Sequence, residues 1–276
     1  YDLTNAAEKL EVERLAGMYS TYAEGIRPDA DAILRETYAN RLAAVQRGVN
    51  TYWLSKPVQT GFGQRHSLFL EGGDNHFRYG IDLGYNKVSG VMKNSDRSTY
   101  SGAMNFTYRN KSLLIKNVLS VAFNDARNSN YGTFSDYTVQ NPYWNPTDEN
   151  GNYVLILESV VNPLTKSTSP FYNPLYNSAL HTVDTRGYSN VINQTTIDWN
   201  IGKGFRVIGR MGLTKQNDER DLFLPAQHTS FANITDITKK GSYTKENSKF
   251  FSYDGSLQME FSKRLGLHQL FSSTGL

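Results

Sequence analysis

Residues 251–262 alternate strictly between two kinds of side chain. Every second residue from Phe251 to Phe261 is aromatic, aliphatic or glycine, and the residues between them are polar or charged. Because side chains alternate across a strand, one face of this segment is apolar and the other is polar. The pattern recurs at 77–86 and 100–109 with aromatic residues near the strand ends. It indicates the lipid-facing wall of a β-barrel more than a soluble sheet packed on a second layer, although both remain open.

Composition limits the classes of protein that fit. The chain has 276 residues, of which 38% are hydrophobic, and no run of 18 apolar residues occurs, so a bundle of membrane helices is excluded. A membrane strand needs only about 9–11 residues, and every second one can be polar. The net charge of +3 is too small and dispersed to indicate nucleic acid or anionic lipid as a partner. Cysteine is absent, which excludes disulfides and thiolate metal sites.

Residues 1–63 are predicted to form a helical segment. Asn5 and Glu8 match a capping box at the start of a first helix. A second helix is predicted at about 30–47, capped by Asp29. Its apolar stripe suits either a membrane surface or, preferably, packing against the rest of the protein. The stripe consists of Leu34, Tyr38, Leu42 and Val45, and Gly17 and Gly48 are the predicted helix ends.

The rest of the chain, 64–276, is predicted to form β-strands whose connections alternate between short turns and longer links. The longest links are predicted at 125–187 and 217–249, and together with the helical segment 1–63 they are expected to be extracellular. This alternation places all short turns at one end of the sheet and all long loops at the other, as in outer-membrane barrels. The predicted fold class is all-β: an open, curved antiparallel meander of about eight strands from a large barrel. A self-contained, closed eight-stranded barrel is the alternative with the same strand count. The strands are predicted at about 64–71, 77–88, 98–109, 114–124, 188–201, 205–216, 250–263 and 268–276.

No enzyme signature is present, so the chain is predicted not to be an enzyme and to need no cofactor. The five histidines are widely spaced and match no metal-binding motif. The polar strand faces are instead predicted to point into a barrel lumen. The lumen-facing polar candidates are Arg78, Asp82, Arg109, Arg210, Asp254 and Glu260.

Aromatic residues are concentrated in the longest predicted loop. Rings of this kind stack on sugars or anchor peptides, which makes them candidates for contact with a substrate or partner. They also suit a second role, because a loop of this length needs a small core of its own to be ordered. The sequence leaves both interpretations open. The candidates are Tyr131, Phe134, Tyr143, Trp144, Tyr172 and Tyr176.

An ordered set of stretches covering essentially the whole sequence resembles SusC/RagA-type TonB-linked outer-membrane proteins. No single stretch is decisive, and the specificity comes from their order. They lie at 1–17, 48–53, 61–73, 83–91, 96–102, 141–146, 173–177, 223–225 and 240–245.

The resemblance implies a barrel of about 22 strands in the outer membrane of a Gram-negative bacterium, filled by a plug and energised by TonB. It also implies import of glycans, or of peptides, with a SusD-like surface lipoprotein as a lid. The preference for glycans rests on the resemblance alone. The chain is expected to be an internal piece covering the early strands, with outer-membrane lipid as a neighbour and TonB contacted through an N-terminal region outside this sequence. A soluble or surface-attached glycan-binding or adhesin module without transport is the rival interpretation.

Overall fold

The structure, a computed structural model, describes residues 3–21 and 27–276; Tyr1 and Asp2 of the first resembling stretch lie outside this part. Its main feature is one eight-stranded sheet. All neighbouring strands are antiparallel and follow one another in chain order, apart from a separate hairpin of β5 and β6. The strands are β1 (Phe62–Gly73), β2 (Phe77–Ser89), β3 (Asp96–Asn110), β4 (Leu113–Arg127), β5 (Ile156–Val161), β6 (Thr168–Tyr172), β7 (Val183–Gly202), β8 (Phe205–Leu224), β9 (Ser242–Leu265) and β10 (His268–Gly275).

The sheet is an open meander. In the part of the chain that the structure describes, β1 pairs with β2 alone and β10 with β9 alone. The predicted fold class is therefore confirmed, and the closed eight-stranded alternative is wrong. Short turns at 74–76, 111–112, 203–204 and 266–267 lie at one end of the sheet, which we name the turn end. The longer connections lie at the opposite end, which we name the loop end.

The register brings the predicted apolar positions to one face, which we name the apolar face. Leu83 lies opposite Gly102, which in turn lies opposite Val121, and Leu257 lies opposite Gly209. Leu83 and Leu257 remain 48% and 49% exposed, so no second layer of described residues covers this face. A cluster of polar side chains interrupts it, where the Asn117 amide donates to Asn193 and Thr195 at 3.1 and 2.8 Å.

Three strands are longer at the loop end than the alternation predicts. β7 and β8 each have 20 residues and β9 has 24. The predicted link 217–249 is therefore shortened to 225–241, and the link 125–187 to 128–182. Charged pairs across β8 and β9 extend the ladder where apolar alternation stops. Arg220 Nη1 lies 3.5 Å from Glu246 Oε1, and Lys245 Nζ lies 3.9 Å from Asp221 Oδ1.

The two predicted helices are present, with one difference in capping. Helix α1 (Ala6–Leu15) has the predicted capping box, because Asn5 accepts from the Glu8 amide and Glu8 accepts from the Asn5 amide. Helix α2 (Pro28–Gln46) begins before Asp29, so the prediction of Asp29 as its cap is wrong. Pro28 occupies the first turn instead, where its fixed φ suits the helix and its missing N–H costs nothing.

The helices and the loop 128–182 share one hydrophobic core, which we name the loop core. This loop holds the β5–β6 hairpin and the short helices α3 (Ser135–Thr138) and α4 (Pro174–Ser178). Tyr38, Leu42 and Val45 of the predicted stripe pack against this core, which favours the packing role of α2 over a membrane-surface role. The buried members are Ala6, Leu10, Tyr19, Trp53, Leu54, Tyr137, Tyr143, Trp144 and Leu175.

Candidate ligand-binding cleft at the loop end

A cleft of about 1010 Å³ lies at the loop end, between the loop 128–182, the ends of β7 and β8, and the turn at 228–230. Amide and hydroxyl side chains dominate its walls. Charged groups are few, with Arg127, Asp136 and Asp184 among the lining residues. The polar lining residues also include Asn128, Asn130, Gln140, Tyr131, Tyr172, Asn177, His181, His228, Thr229 and Ser230.

Asn173 holds one wall of the cleft in place. Its side chain is 0% exposed and caps α4 by accepting from the Leu175 amide at 3.0 Å. The side-chain amide of Asn173 also donates to the carbonyls of Pro146 and Val154, each at 2.8 Å. One buried side chain therefore joins α4 to two separate segments of the loop and positions Tyr172, its neighbour, at the cleft.

The opposite wall is tied to the first by a reciprocal pair of hydrogen bonds. The Asn177 amide donates to the Thr229 hydroxyl at 2.6 Å, and the Thr229 backbone N–H donates back to Asn177 Oδ1 at 3.1 Å. The Tyr172 hydroxyl reaches Asn233 Oδ1 at 3.4 Å. The loops 128–182 and 225–241 are thereby held together across the cleft.

Two lining side chains hold polar atoms that are buried without a hydrogen-bond partner. They are Gln140 Oε1 and Asp184 Oδ1. Asp184 Oδ1 lies 4.0 Å from Arg220 Nε, so its charge is balanced within the chain. Burial lowers the pKa of His228, so its ring is neutral near pH 7. The cleft thus suits a ligand rich in neutral polar groups, such as hydroxyls or peptide amides.

The structure separates the six aromatic candidates by burial. Tyr143 and Trp144 are only 2% and 5% exposed, so they belong to the loop core and present no ring face to a ligand. Their assignment as contact residues is corrected to a packing role. Tyr131 and Tyr172 line the cleft. Two candidates lie outside the cleft: Phe134 is exposed and Tyr176 is half-buried.

A buried polar network inside the loop core was not predicted from the sequence. Arg41 of α2 donates to Glu158 of β5, and its guanidinium lies 4.9 Å from the Tyr143 ring centroid. The hydroxyls of Tyr143 and Tyr19 both donate to Glu13. These residues come from four distant segments, and no motif links them in the sequence.

The network shifts the pKa of several of its members. Burial raises the pKa of Tyr19 to about 12, helped by its hydrogen bond to Glu13. Burial also raises the pKa of Tyr143 well above its ordinary value. Burial opposes the charged guanidinium of Arg41, but its hydrogen bonds to Glu158 and Tyr19 outweigh that effect and raise the pKa of Arg41. Both tyrosines are therefore neutral and Arg41 is charged near pH 7.

The register places the six predicted lumen-facing residues on one face, opposite the apolar face. Arg210 lies opposite Thr196 and Ser256, and Asp254 lies opposite Gly212. Near the turn end, Arg206 of β8 forms ion pairs with β7 and β9 on this polar face. Its guanidinium contacts Asp198 Oδ2 at 2.6 Å and Glu260 Oε2 at 3.2 Å. The remaining members lie on β2 and β3 and are Arg78, Asp82 and Arg109.

Residues 3–21 and 27–276 contain neither a metal-binding cluster nor a membrane-spanning helix. No group of three or more His, Cys, Asp or Glu side chains could hold a metal ion. No helix in those ranges is both long and apolar enough to cross a membrane.

No protein-family model matches the chain, and no curated protein is significantly similar to it. Solved structures are similar in fold. One, described as the RagAB peptide transporter, matches over 99% of this chain with a TM-score of 0.69 and 16% identity. The RagAB peptide importer matches in its "closed-closed" and "open-open" states, with TM-scores of 0.68 and 0.67, 19% and 17% identity, and 99% of this chain covered in each case.

The likeness shows a related fold. The chain spans about a third of the length of these structures, at 32%, 31% and 31% of the matched chains. All three structures are described as a peptide transporter or importer.

Proposed function

We propose that this chain is part of an outer-membrane, TonB-dependent importer of glycans or peptides that works with a SusD-like surface lipoprotein. The observation that carries the proposal is the uncovered apolar face of an open eight-stranded meander whose loops are sorted to one end. Bilayer lipid is the environment in which an apolar face of this extent is stable. The fold shared with the RagAB transporter structures supports the same assignment.

A soluble or surface-attached adhesin module explains the apolar face less well. Such a module would bury Leu83 and Leu257 under a second sheet or a layer of helices. The described helices instead pack on the loop 128–182 and not on the apolar face. We therefore favour the importer.

The cleft at the loop end is the proposed site where substrate is received from the lipoprotein. Its amide and hydroxyl lining offers donors and acceptors without strong charge, and Tyr131 and Tyr172 contribute aromatic rings. Sugars and peptides both satisfy this chemistry. The RagAB structures are named for peptides, whereas the resemblance of the sequence also includes glycan importers, so the substrate class is left to the experiment.

The test fills the cleft in the full-length transporter. Ser230 is exposed and lines the cleft, so Ser230→Trp places a large ring inside it. The matched control is Ser167→Trp, in the exposed β5–β6 turn outside the cleft. We expect Ser230→Trp to reduce uptake of either labelled oligosaccharides or labelled peptides by roughly tenfold, as loss of about 1.4 kcal/mol of binding requires. If Ser230→Trp, with its barrel assembled, takes up both oligosaccharides and peptides as fast as Ser167→Trp does, this role for the cleft is refuted.

A further inference from the structure

Two lysines that are distant in sequence lie side by side at the loop-end border of the apolar face. Lys215 of β8 lies directly opposite Phe251 of β9, and Lys249 lies two residues before Phe251 on the same face. Residues in this diagonal relation are about 7–8 Å apart, so one small anion can contact both ammonium groups. Both lysines are exposed, and neither forms an ion pair with any described residue.

The surroundings of these lysines differ on their two sides. Toward the turn end, the exposed rings of Phe251 and Tyr253 continue the apolar face. Toward the loop end lies a shallow cleft of about 430 Å³. It is lined on this face by Ser189, Lys215, Asn217, Glu219, Asn247 and Lys249.

The charge of this cleft is positive at the border with the apolar face. Glu219 lies on the same face and is a diagonal neighbour of Lys249, but it is not a neighbour of Lys215. The other acidic lining residue, Asp218, accepts hydrogen bonds from Gln216 at 2.9 and 3.0 Å. Neither carboxylate forms an ion pair with Lys215 or Lys249 among the described residues, so both ammonium groups remain open to an external anion.

We propose that Lys215 and Lys249, with the rings of Phe251 and Tyr253, bind the phosphorylated headgroup of an outer-leaflet lipid. This inference rests on the proposed function, because it requires the apolar face to meet lipid. Aromatic rings favour the interface between acyl chains and headgroups, and lysines just beyond it are attracted to lipid phosphate. The rings would contact the upper acyl chains while the ammonium groups contact the phosphate.

The net charge of the chain gives no sign of such a partner. A total of +3 is spread over the whole chain, whereas the register of β8 and β9 brings together two positive charges that are 34 positions apart. Lipid recognition depends on the local cluster, since the charges of an exposed surface are screened beyond about 10 Å.

The experiment measures lipid binding to the full-length barrel in mixed micelles, with anionic phosphatidylglycerol and zwitterionic phosphatidylcholine as probes. The test variant is Lys215→Gln with Lys249→Gln. The matched control, Lys239→Gln with Lys245→Gln, removes two charges that already pair with Asp236 and Asp221. Lys215→Arg with Lys249→Arg keeps the charge at the site. Heat-modified gel mobility confirms that each barrel is folded.

We expect the test variant to bind phosphatidylglycerol about 25-fold more weakly, at about fivefold per lysine. The control and the arginine variant should keep the preference of the wild type for phosphatidylglycerol. An unchanged preference in the test variant would overturn the proposal. It would also be overturned if excess inorganic phosphate displaced the lipid completely, because the site would then bind a free anion.

Insertion of the wild-type protein into vesicles tests the membrane assignment independently of the headgroup site. A wild-type barrel that inserts into vesicles but shows no lysine-dependent lipid preference refutes the headgroup site alone. A wild-type protein that never inserts into vesicles refutes the membrane assignment, and the headgroup site with it.

Discussion

Arg41 of α2 and Glu158 of β5 form a bidentate ion pair although 117 positions separate them in the sequence. Arg41 Nε lies 3.0 Å from Glu158 Oε1, and Nη2 lies 2.8 Å from Oε2. Both side chains are largely buried, and the Trp144 indole N–H donates to the same carboxylate at 2.8 Å. This pair joins the helical segment to the longest loop.

Removing one partner of this pair should loosen the loop core. Arg41→Ala leaves the Glu158 carboxylate buried without its counter-charge, which costs about 3–5 kcal/mol for a buried pair. We expect faster hydrogen exchange in both α2 and β5. Arg41→Lys should restore little of the protection from exchange, because an ammonium group cannot make the two parallel hydrogen bonds. Exchange rates unchanged in both elements would show that the pair does not hold the segments together.

The loop core should also loosen at alkaline pH. The pKa of Tyr19 is raised from 10.0 to about 12 in the folded chain, so the folded state favours its neutral form. The resulting stabilisation is complete below about pH 10 and is lost as pH rises through about 12. Limited proteolysis of the helical segment along a pH series measures this loss. Tyr19→Phe should move its onset upward, because Tyr143 then remains as the tyrosine with a raised pKa. An onset that does not move would exclude Tyr19 as the cause.

Charge should be tolerated on one face of β9 and not on the other. Leu257→Arg in the full-length barrel places a charge against lipid, at a cost of about 2–4 kcal/mol at mid-membrane depth. Its neighbour Gln258 lies on the polar face, where Gln258→Arg should assemble normally. Folding yield in lipid vesicles compares the two variants. Equal yields would contradict the assignment of the apolar face to lipid.

Asn173 should be the single side chain on which the cleft depends most. Asn173→Ala removes the cap of α4 and leaves the carbonyls of Pro146 and Val154 without their donor. The loss should be about 2–5 kcal/mol of local stability. Hydrogen exchange over residues 146–180 measures it, and Asn145→Ala, at an exposed position, serves as the control. Matching exchange in the two variants would show that the cap is dispensable.

The sheet was predictable from the sequence because its signal is local. A period of two residues assigns Leu83 and Leu257 to one face without knowledge of any partner. The capping box of Asn5 and Glu8 is equally local, spanning four positions. The ends of β8 and β9 were missed because charged pairs between Arg220 and Glu246, and not apolar alternation, extend them.

The site was less predictable, because its contacts join distant segments. The sequence showed that aromatic residues gather in one loop, but burial alone distinguishes Tyr143 in the core from Tyr172 at the cleft. Nothing local marks Gln140 or Asp184 as buried acceptors. Their role depends on which segments the fold brings around them.

Strand β9 is longer than its apolar face. Its polar residues from Ser242 to Lys249 extend beyond the apolar face toward the loop end. In a membrane this wall would rise roughly 20–25 Å above the acyl chains, well past a headgroup layer about 5–7 Å thick. The cleft would then stand in open water, out of reach of lipid or detergent. Affinities measured on the purified protein should therefore not change when one detergent is exchanged for another.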